Sequence, residues 1–356
     1  MLKLEKRQAD SRLMGYLSPL IALVLTLIAG ALLFAVLGHD PLEALYTFFI
    51  SPLEDIYGWT ELGIKVAPLL LCAMGLTLCY RANIWNIGAE GQFIMGALGG
   101  SMAALQFLDA ESHWVLVPVL LAGAASGLIW GGIAAWLKTR FNANEILTTI
   151  MLNYIALNAL LYAVHGPLRD PGGFNFPESA MFADSALLPV FSDSYRLNIS
   201  LLFALFFMVA IWTLMARSWV GYQIHVLGED AKAARYAGFN SKTLTWVVLL
   251  VGGALAGLAG VSEVTGPIGQ LVPQVSPGYG YAAIIVVFLG RMQPVGILLA
   301  SILLALTFMG GEMIQIKMSL PKSLTGLFQG MLLFFLLAAD LLISYRIILQ
   351  PRSTRA

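Results

Sequence analysis

The sequence predicts an all-α integral membrane protein with about ten transmembrane helices. Of its 356 residues, 59% are hydrophobic and only 11% are charged, whereas soluble proteins carry about 25% charged residues. A helix needs about 20 largely apolar residues to cross a bilayer, and runs of about that length recur along the chain. We treat residues 1–356 as one transmembrane domain, surrounded by membrane lipid, with predicted spans at 14–37, 62–81, 87–108, 114–137, 145–165, 198–216, 243–262, 278–290, 294–313 and 324–345.

The first apolar run begins at Leu13 and ends at Leu37, after a basic N-terminal segment. It is longer than the apolar core of a secretory signal, which has about 7–15 residues, and it lacks a small-residue cleavage site. We therefore expect this run to be retained as the first span.

Ten spans place both termini on the same side of the membrane. On that assignment, fifteen of the twenty lysines and arginines lie on the side of the termini and five lie on the other. Because basic residues concentrate in cytoplasmic loops, both termini and the charged segment 217–242 are predicted to be cytoplasmic. The turn-rich segment 166–197 is then external, and it is either a solvated loop or a landing surface for an external partner.

The eighth predicted span, 278–290, is too short to cross a bilayer as a straight helix. Its 13 residues make about 20 Å of helix, whereas the hydrocarbon core is about 30 Å thick. Gly266-Pro267, Pro273 and Pro277 precede it. We expect a broken or re-entrant helix, and such breaks in transporters often mark the substrate route.

A weak internal repeat accompanies this break. Spans four and five align with spans nine and ten at a constant offset of 178 residues, which pairs VPVLLA at 117–122 with VGILLA at 295–300. The two copies would cross the membrane in opposite directions, which is the inverted-repeat pattern of many transporters. The identity is low, and coincidence between apolar segments is the alternative.

The densest polar cluster, Arg81 to Gln92, separates two spans with almost no loop. Polar side chains are costly in lipid, so these must face protein, water or the membrane surface. The cluster is either a tight cytoplasmic turn at the headgroups or a polar lining of a translocation path. In the second interpretation the lining residues are Asn83, Asn86, Glu90 and Gln92.

The fifth span adds two amide side chains, Asn153 and Asn158. Asn158 shares a helical face with Tyr154, because residues four apart are neighbours on a helix. Amides within a span usually hydrogen-bond to a neighbouring helix. The alternatives are therefore contacts that hold helices together and a lining for a polar substrate.

The charged segment 217–242 is predicted to contain a short helix. Gly228, Glu229 and Asp230 open it, and negative charge suits a helix N-terminus. Residues 231–236 form its body, and Gly238 is typical of a helix end. The helix either belongs to an ordinary solvated loop or presents small alanine side chains that let a partner approach closely.

The sequence carries no motif for catalysis. It has no glycine-rich phosphate loop, no HExxH metal motif and no GxSxG nucleophile motif. Cys72 and Cys79 lie in an apolar run and are predicted to be packing residues. We therefore expect no catalytic residue, no metal, no cofactor and, with a net charge of zero, no nucleic-acid partner. A stand-alone secondary transporter is less favoured, because the carboxylates lie at span ends, with Glu90 the one plausible exception.

Two motifs give the chain a resemblance to a known family. NIGAEGQ at 86–92 resembles the signature of permease subunits in nucleoside-type ABC importers, within the branched-chain amino acid and simple sugar permease group. GEDAKAARYAG at 228–238 is similar to the family's G-E-N-P-x-A-A-R-Y-A-G coupling segment, with Asp230 and Ala231 in place of Asn-Pro. Trp85 stands where members often have Phe, and the late-span pattern around 278–291 also matches.

The resemblance implies a multi-pass permease subunit in a bacterial inner (plasma) membrane that works by ATP-driven alternating access. It implies three partners: a cytoplasmic ABC ATPase pair, a second permease chain that is identical or homologous, and a periplasmic or lipoprotein substrate-binding protein. The implied cargo is a nucleoside, with a simple sugar or a riboflavin-like vitamin as the alternative. The residues implied to engage the ATPase are Gly228, Glu229, Asp230, Ala233, Ala234, Arg235 and Gly238.

Overall fold

The structure, a computed structural model, describes residues 2–7, 11–192 and 194–349. The helices in chain order are α1 (Arg12–Val36), α2 (Pro41–Phe49), α3 (Ile56–Arg81), α4 (Ala89–Ala104), α5 (Leu116–Phe141), α6 (Glu145–His165), α7 (Ser200–Arg217), α8 (Trp219–Glu229), α9 (Ala231–Tyr236), α10 (Ser241–Glu263), α11 (Tyr279–Leu289), α12 (Pro294–Met318) and α13 (Leu324–Ser344). The strands are β1 (Leu2–Lys6), β2 (Val190–Ser192), β3 (Tyr195–Asn198) and β4 (Tyr345–Leu349). Strand β1 pairs antiparallel with β4, and β2 pairs antiparallel with β3.

In the described part of the chain, eight helices are long and apolar enough to cross a membrane. They are α1, α3, α5, α6, α7, α10, α12 and α13, and they confirm an all-α, multi-pass membrane protein. The count of ten is not confirmed, because two of the predicted spans form short helices. Helix α4 has 16 residues and ends at Ala104, and α11 has 11 residues, which correspond to about 24 Å and 16 Å. The inverted repeat stays a prediction.

The chain divides into two compact units. One comprises residues up to 55 together with residues from 306 onward, and the other comprises residues 56–305. We call them the terminal unit and the central unit. Of the two boundaries, one precedes α3 and the other falls inside α12.

The innermost helices of the central unit pack through glycine. In α4, Gly96 faces Gly257 of α10, and in α5, Gly127 faces Gly253 of α10. A Cβ added at any of these glycines would overlap the backbone of the opposite helix. Small residues allow such close approach in membranes, where lipid is as apolar as the side chains and the hydrophobic effect does not drive helices together.

The terminal unit packs around aromatic rings. Phe48 and Phe328 stack with their ring centroids 4.5 Å apart, and Phe34 lies 5.6 Å from Phe328. The ring of Phe328 covers Gly30 of α1, and both the carbonyl group and the ring of Phe48 lie against Gly310 of α12. The unit therefore fills its core with large side chains set against glycine.

Helix α10 breaks before α11, in the region where the sequence predicts a broken helix. It continues into a π-helical turn at Val264–Ile268, and the chain then runs irregularly to Gly278. Gly269 and Gly278 adopt left-handed φ values of 79° and 102°, which glycine tolerates without steric cost.

The segment 166–197 supplies hydrogen bonds to this irregular backbone. The amides of Ser179, Phe182 and Leu188 donate to the carbonyls of Leu271, Gly269 and Thr265 at 2.8–3.0 Å. Irregular backbone at membrane depth is tolerated only where other groups satisfy it, so this segment stabilises the break.

Different side-chain hydrogen bonds are found at the two ends of the central unit. At one end, Arg196 of β3 donates two hydrogen bonds, of 3.0 Å and 2.7 Å, to Glu61 in α3. These bonds raise the pKa of the Arg196 guanidinium above its ordinary value. At the other end, Arg81 donates to the carbonyl of Met292 at 2.8 Å and Trp246 to the hydroxyl of Thr139 at 3.1 Å. We call this second end the Arg81 end.

Candidate functional site

The polar cluster Arg81 to Gln92 forms a turn followed by an extended segment. Helix α3 ends at Arg81, and Asn83 takes a left-handed φ of 55°. The amide of Ile84 then returns to the carbonyl of Cys79 at 2.9 Å. The chain stays irregular until α4 begins at Ala89.

Contacts of α4 with two neighbouring helices show the distance between the start of α4 and the Arg81 end. Gly91 contacts Asn153, which lies eight residues after the start of α6, about 12 Å along that helix. Glu90 contacts Gly280, which lies nine residues before the end of α11, about 13 Å along it. Since a hydrocarbon core is about 30 Å thick, the start of α4 lies well inside the helical bundle and not at its end.

Asn86 and Gln92 lie together in the interior. Both are buried, and the Asn86 amide nitrogen donates to the Gln92 side-chain oxygen at 3.3 Å. The Asn86 side-chain oxygen accepts from the amide of Gly88 at 2.8 Å, and its carbonyl accepts from the Tyr80 hydroxyl at 3.0 Å. Asn86 therefore shapes the extended segment, as expected of a buried amide whose hydrogen bonds are made within the protein.

Glu90 joins the N-termini of α4 and α11. Its side chain is 6% exposed, and one carboxyl oxygen accepts from the amide of Gly280 at 2.7 Å. The Ser276 hydroxyl and the Tyr281 amide also donate to this carboxyl group. A Cβ at Gly280 would overlap the backbone of Glu90, so the two helices meet backbone to backbone.

Asn153 links α6 to both short helices. Its side-chain oxygen accepts from the Gly91 amide at 2.8 Å, and its side-chain nitrogen donates to the Ile87 carbonyl at 2.9 Å. The same nitrogen lies 3.2 Å from the Tyr281 hydroxyl. The structure thus brings Asn86, Glu90, Gln92 and Asn153 into one buried polar layer.

Asn83 and Asn158 do not belong to this layer. Asn83 is exposed at the turn, where its side-chain oxygen accepts from the Trp85 indole at 3.2 Å. Asn158 is exposed on α6 and donates to the carbonyl of Tyr154 in its own helix at 2.8 Å.

An exposed aromatic face lies beside the buried layer. The sequence predicted that Tyr154 and Asn158 share a helical face, but Tyr162 and Tyr281 were not included. Tyr154 and Tyr162 of α6 are 58% and 74% exposed, and Asn158 lies between them on the same face. Tyr281 of α11 is 44% exposed, and its hydroxyl lies 3.2 Å from the side-chain nitrogen of Asn153, the residue before Tyr154. We call Tyr154, Asn158, Tyr162 and Tyr281 the tyrosine face. The four-residue spacing in α6 was a signal that could have revealed it.

The predicted short helix of segment 217–242 is α9, Ala231–Tyr236. The Asp230 side chain caps it by accepting from the Lys232 amide at 2.7 Å, and Gly238 follows it with a φ of 81°. One detail was wrong: Gly228 and Glu229 do not open α9, since they end the preceding helix α8. Helix α8 was not predicted, because its apolar and polar residues were interpreted as loop.

Some of the predicted ATPase-coupling residues are exposed, and others are packed against the rest of the chain. Ala234 is fully buried and Gly228 is half-buried, and a Cβ at Gly228 would overlap the carbonyl of Arg81. Segment 228–238 is therefore seated directly on the end of α3. The residues left exposed are Glu229, Asp230, Ala233, Arg235 and Gly238.

Among the described residues, no group of three or more His, Cys, Asp or Glu side chains could hold a metal ion.

A model of the family described as "Branched-chain amino acid transport system / permease component" matches residues 58–337. The chain belongs to this family. The prediction of a permease subunit in the branched-chain amino acid and sugar permease group is thereby confirmed. The chain is a transport component and not an enzyme.

Three relatives show the range of named cargoes in the family. The glucose ABC transporter permease protein TsgB13 of Haloferax volcanii is 32% identical, over 97% of this chain and 93% of that protein. The guanosine ABC transporter permease protein NupP of Bacillus subtilis is 31% identical, over 91% of this chain and 93% of that protein. The nucleoside ABC transporter permease protein NupB of Lactococcus lactis is 29% identical, over 81% of each chain.

Proposed function

We propose that this chain is the transmembrane subunit of an ABC importer that carries a nucleoside into the cytoplasm. It would work with a cytoplasmic ATPase pair, a second permease chain and an external substrate-binding protein. Both termini and the Arg81 end would face the cytoplasm of a bacterial cell, in agreement with the distribution of basic residues. ATP binding would close the ATPases and rock the helices between outward and inward access.

The observation that carries this proposal is the contact between segment 228–238 and the end of α3. Gly228 is seated on the Arg81 carbonyl, and Arg81 begins the turn that leads to Asn86 and Glu90. A displacement of α9 would therefore be transmitted to the buried polar layer through backbone segments that are in contact. Because interiors are close-packed, such a contact transmits displacement.

The exposed part of α9 suits contact with an ATPase. Ala233 offers a small side chain at the surface, and Asp230 and Arg235 offer charges of both signs. The buried Ala234 anchors the helix to the chain beneath it. We therefore assign docking to the exposed residues and anchoring to Ala234 and Gly228.

The tyrosine face is the proposed wall of the pathway. Lipid cannot satisfy an amide or a phenol hydroxyl within a span, so a face that presents Asn158 and three tyrosines suits a water-filled path. The path would run between this chain and the second permease chain. Of the predicted pathway residues, Asn83 and Asn158 would face it, and Asn86, Glu90, Gln92 and Asn153 would support the wall from behind.

The choice of a nucleoside rests on two supports. Two of the three relatives described above are named for nucleosides or guanosine, and tyrosine rings offer flat surfaces on which a planar base can stack. Glucose is the second candidate, because the relative with 32% identity is named for it and a sugar ring also packs against tyrosine.

A variant of α9 tests whether this helix couples the ATPase to uptake. The tagged chain would be purified in mild detergent with the ATPase and binding protein that accompany it, and reconstituted in liposomes. Ala233→Trp should abolish ATP-driven uptake of labelled uridine and guanosine, because a bulky ring blocks close approach at the exposed face of α9. The control, Ala35→Trp, places the same ring at an exposed position near the end of α1 and should leave uptake intact. Normal uptake by Ala233→Trp would refute the coupling assignment.

Calorimetry on the accompanying binding protein tests the cargo. Uridine, guanosine, glucose and riboflavin would be titrated separately, and uptake of each would then be measured in the liposomes. Tight binding and uptake of a nucleoside alone supports the proposal. Uptake of glucose without nucleosides would replace it with the second candidate.

A further inference from the structure

A single buried carboxyl group joins two short helices, α4 and α11, at their N-termini. Glu90 lies in the first turn of α4, and its carboxyl group accepts hydrogen bonds from the amides of Gly280 and Tyr281 in the first turn of α11. The first amides of a helix have no partner within the helix. Glu90 satisfies two such amides of α11 from outside that helix.

We call the contact of Glu90 with Ser276, Gly280 and Tyr281 the joint. Two further features restrict movement between α4 and α11 at the joint. The Ser276 hydroxyl oxygen caps α11 by accepting from the amides of Gly278 and Tyr279 at 3.1 Å and 3.2 Å, and the same hydroxyl donates to Glu90. At Gly280 there is no space for a Cβ. Glu90 therefore fixes the N-terminus of α11 against the N-terminus of α4.

The joint lies between the Arg81 end and the tyrosine face. On one side, residues 82–89 connect it to Arg81, and the bonds made by Asn86 and Tyr80 stiffen that segment. On the other side, Tyr281 follows Gly280 directly and reaches Asn153 with its hydroxyl. A displacement of segment 82–89 would therefore reach the backbone of Tyr281 through Glu90, in addition to the side-chain route through Asn153, which bonds to Ile87 and to the Tyr281 hydroxyl.

We propose that Glu90 is a positioning residue that transmits movement of segment 228–238 to Tyr281, and not a contact for the cargo. This inference rests on the proposed function and specifies how its two ends communicate. The carboxyl group is buried and already accepts from three donors of the chain, so a passing substrate has no open access to it. The substrate would meet Tyr281, whose position Glu90 holds.

The experiment uses the reconstituted complex and measures cargo molecules transported per ATP hydrolysed. Glu90→Ala should lower this ratio about tenfold, while basal ATP hydrolysis and the KM for the loaded binding protein stay near the wild-type values. Glu90→Gln keeps an oxygen that accepts from the Gly280 amide and should recover most of the ratio. Rescue by glutamine separates positioning through hydrogen bonds from a need for charge.

A less disruptive variant, with a matched control, tests the inference in case Glu90→Ala does not fold. Ser276→Ala removes one donor to Glu90 together with the cap of α11, and should lower the ratio about threefold. Its control is Ser262→Ala, which removes a buried hydroxyl of α10 that has no hydrogen-bond partner among the described residues. Equal ratios for these two variants would overturn the inference.

Other outcomes would also contradict it. A raised KM for Glu90→Ala with an unchanged transport ratio would make Glu90 a cargo contact. Loss of assembly in both Glu90→Ala and Glu90→Gln, with a normal ratio in Ser276→Ala, would leave Glu90 a purely structural role. A wild-type complex that hydrolyses ATP but takes up none of the four cargoes would instead overturn the proposed function, and this inference with it.

Discussion

The central and terminal units use glycine in opposite ways. In the central unit glycine faces glycine, as at Gly96 and Gly257, and two backbones come into direct contact. In the terminal unit the clearest contrast is Gly30, which faces only the ring of Phe328. Both solutions fill space at the density of a protein interior, but they differ in how firmly they hold the backbone.

The difference matches what each unit contains. A contact between two backbones has no rotamer that could adjust, so it holds both helices at one separation. The central unit needs such precision, since its polar layer depends on backbone amides such as those of Gly91 and Gly280. A ring packed on glycine can tilt within its site, so the terminal unit can tolerate small changes in shape.

The strongest test of this comparison is Gly257→Leu. The new side chain would collide with backbone atoms of Gly123 and Gly127, and these cannot move without separating α5 from α10. We expect no monodisperse protein in detergent, as measured by size-exclusion chromatography after expression. Gly330→Leu in α13 is the control, because nothing lies within 4 Å of a Cβ there. A well-folded Gly257→Leu protein would mean that the glycine contact is not essential.

Phe328→Ala tests the terminal unit and should have the next largest effect. The ring is 1% exposed and touches Phe34, Phe48 and Phe49, so its removal leaves a cavity that costs about 3 kcal/mol. The apparent melting temperature in detergent should fall clearly. Phe328→Leu, which keeps most of the volume, should cost about 1 kcal/mol. Equal losses for the two variants would show that this core does not adapt.

A third test compares buried amides in the two units. Asn153→Leu leaves the Gly91 amide and the Ile87 carbonyl without their partner, and an unsatisfied buried group costs about 1–3 kcal/mol. Gln329→Leu in α13 removes one half-buried hydrogen bond, to Thr307 at 3.2 Å, which is worth about 0.6 kcal/mol between membrane helices. The apparent melting temperature of Asn153→Leu should be lower than that of Gln329→Leu. The reverse order would contradict the importance given to the polar layer.

The smallest expected effect is a gain in stability. Gly330 is an exposed helical glycine with open space around its Cα, so Gly330→Ala should stabilise α13 by about 0.5–1 kcal/mol through helix propensity. The same substitution at Gly96 should destabilise the protein, because its Cβ would meet Gly257. Melting temperatures that shift in the same direction would remove the distinction between the two classes of glycine.

Most helices of this protein could be predicted from hydropathy. Composition and run length identified the spans that became α1, α3, α5, α6, α7, α10, α12 and α13. The region of α9 was also predictable, because Asp230 and Gly238 carry the local signals of a helix start and a helix end. The shortness of α11 was also predicted, because the apolar run 278–290 is too short to cross a bilayer. Hydropathy could not show that α4 ends at Ala104, because Leu105, Phe107 and Leu108 continue the apolar run beyond that end.

The sequence by itself determined the membrane class, the break before α11 and the segments that carry polar groups, because each follows from local composition and from the conformations that glycine and proline allow. Only the tertiary structure decided which polar residues meet. Asn86, Glu90, Gln92 and Asn153 join one layer, whereas Asn83 and Asn158 stay outside it. Glu90 and Gly280 lie 190 residues apart in the chain, and no local pattern states that their helices meet end to end. That contact depends on how far the glycine faces let α3, α4, α5 and α10 approach, which is a property of the packed helices together.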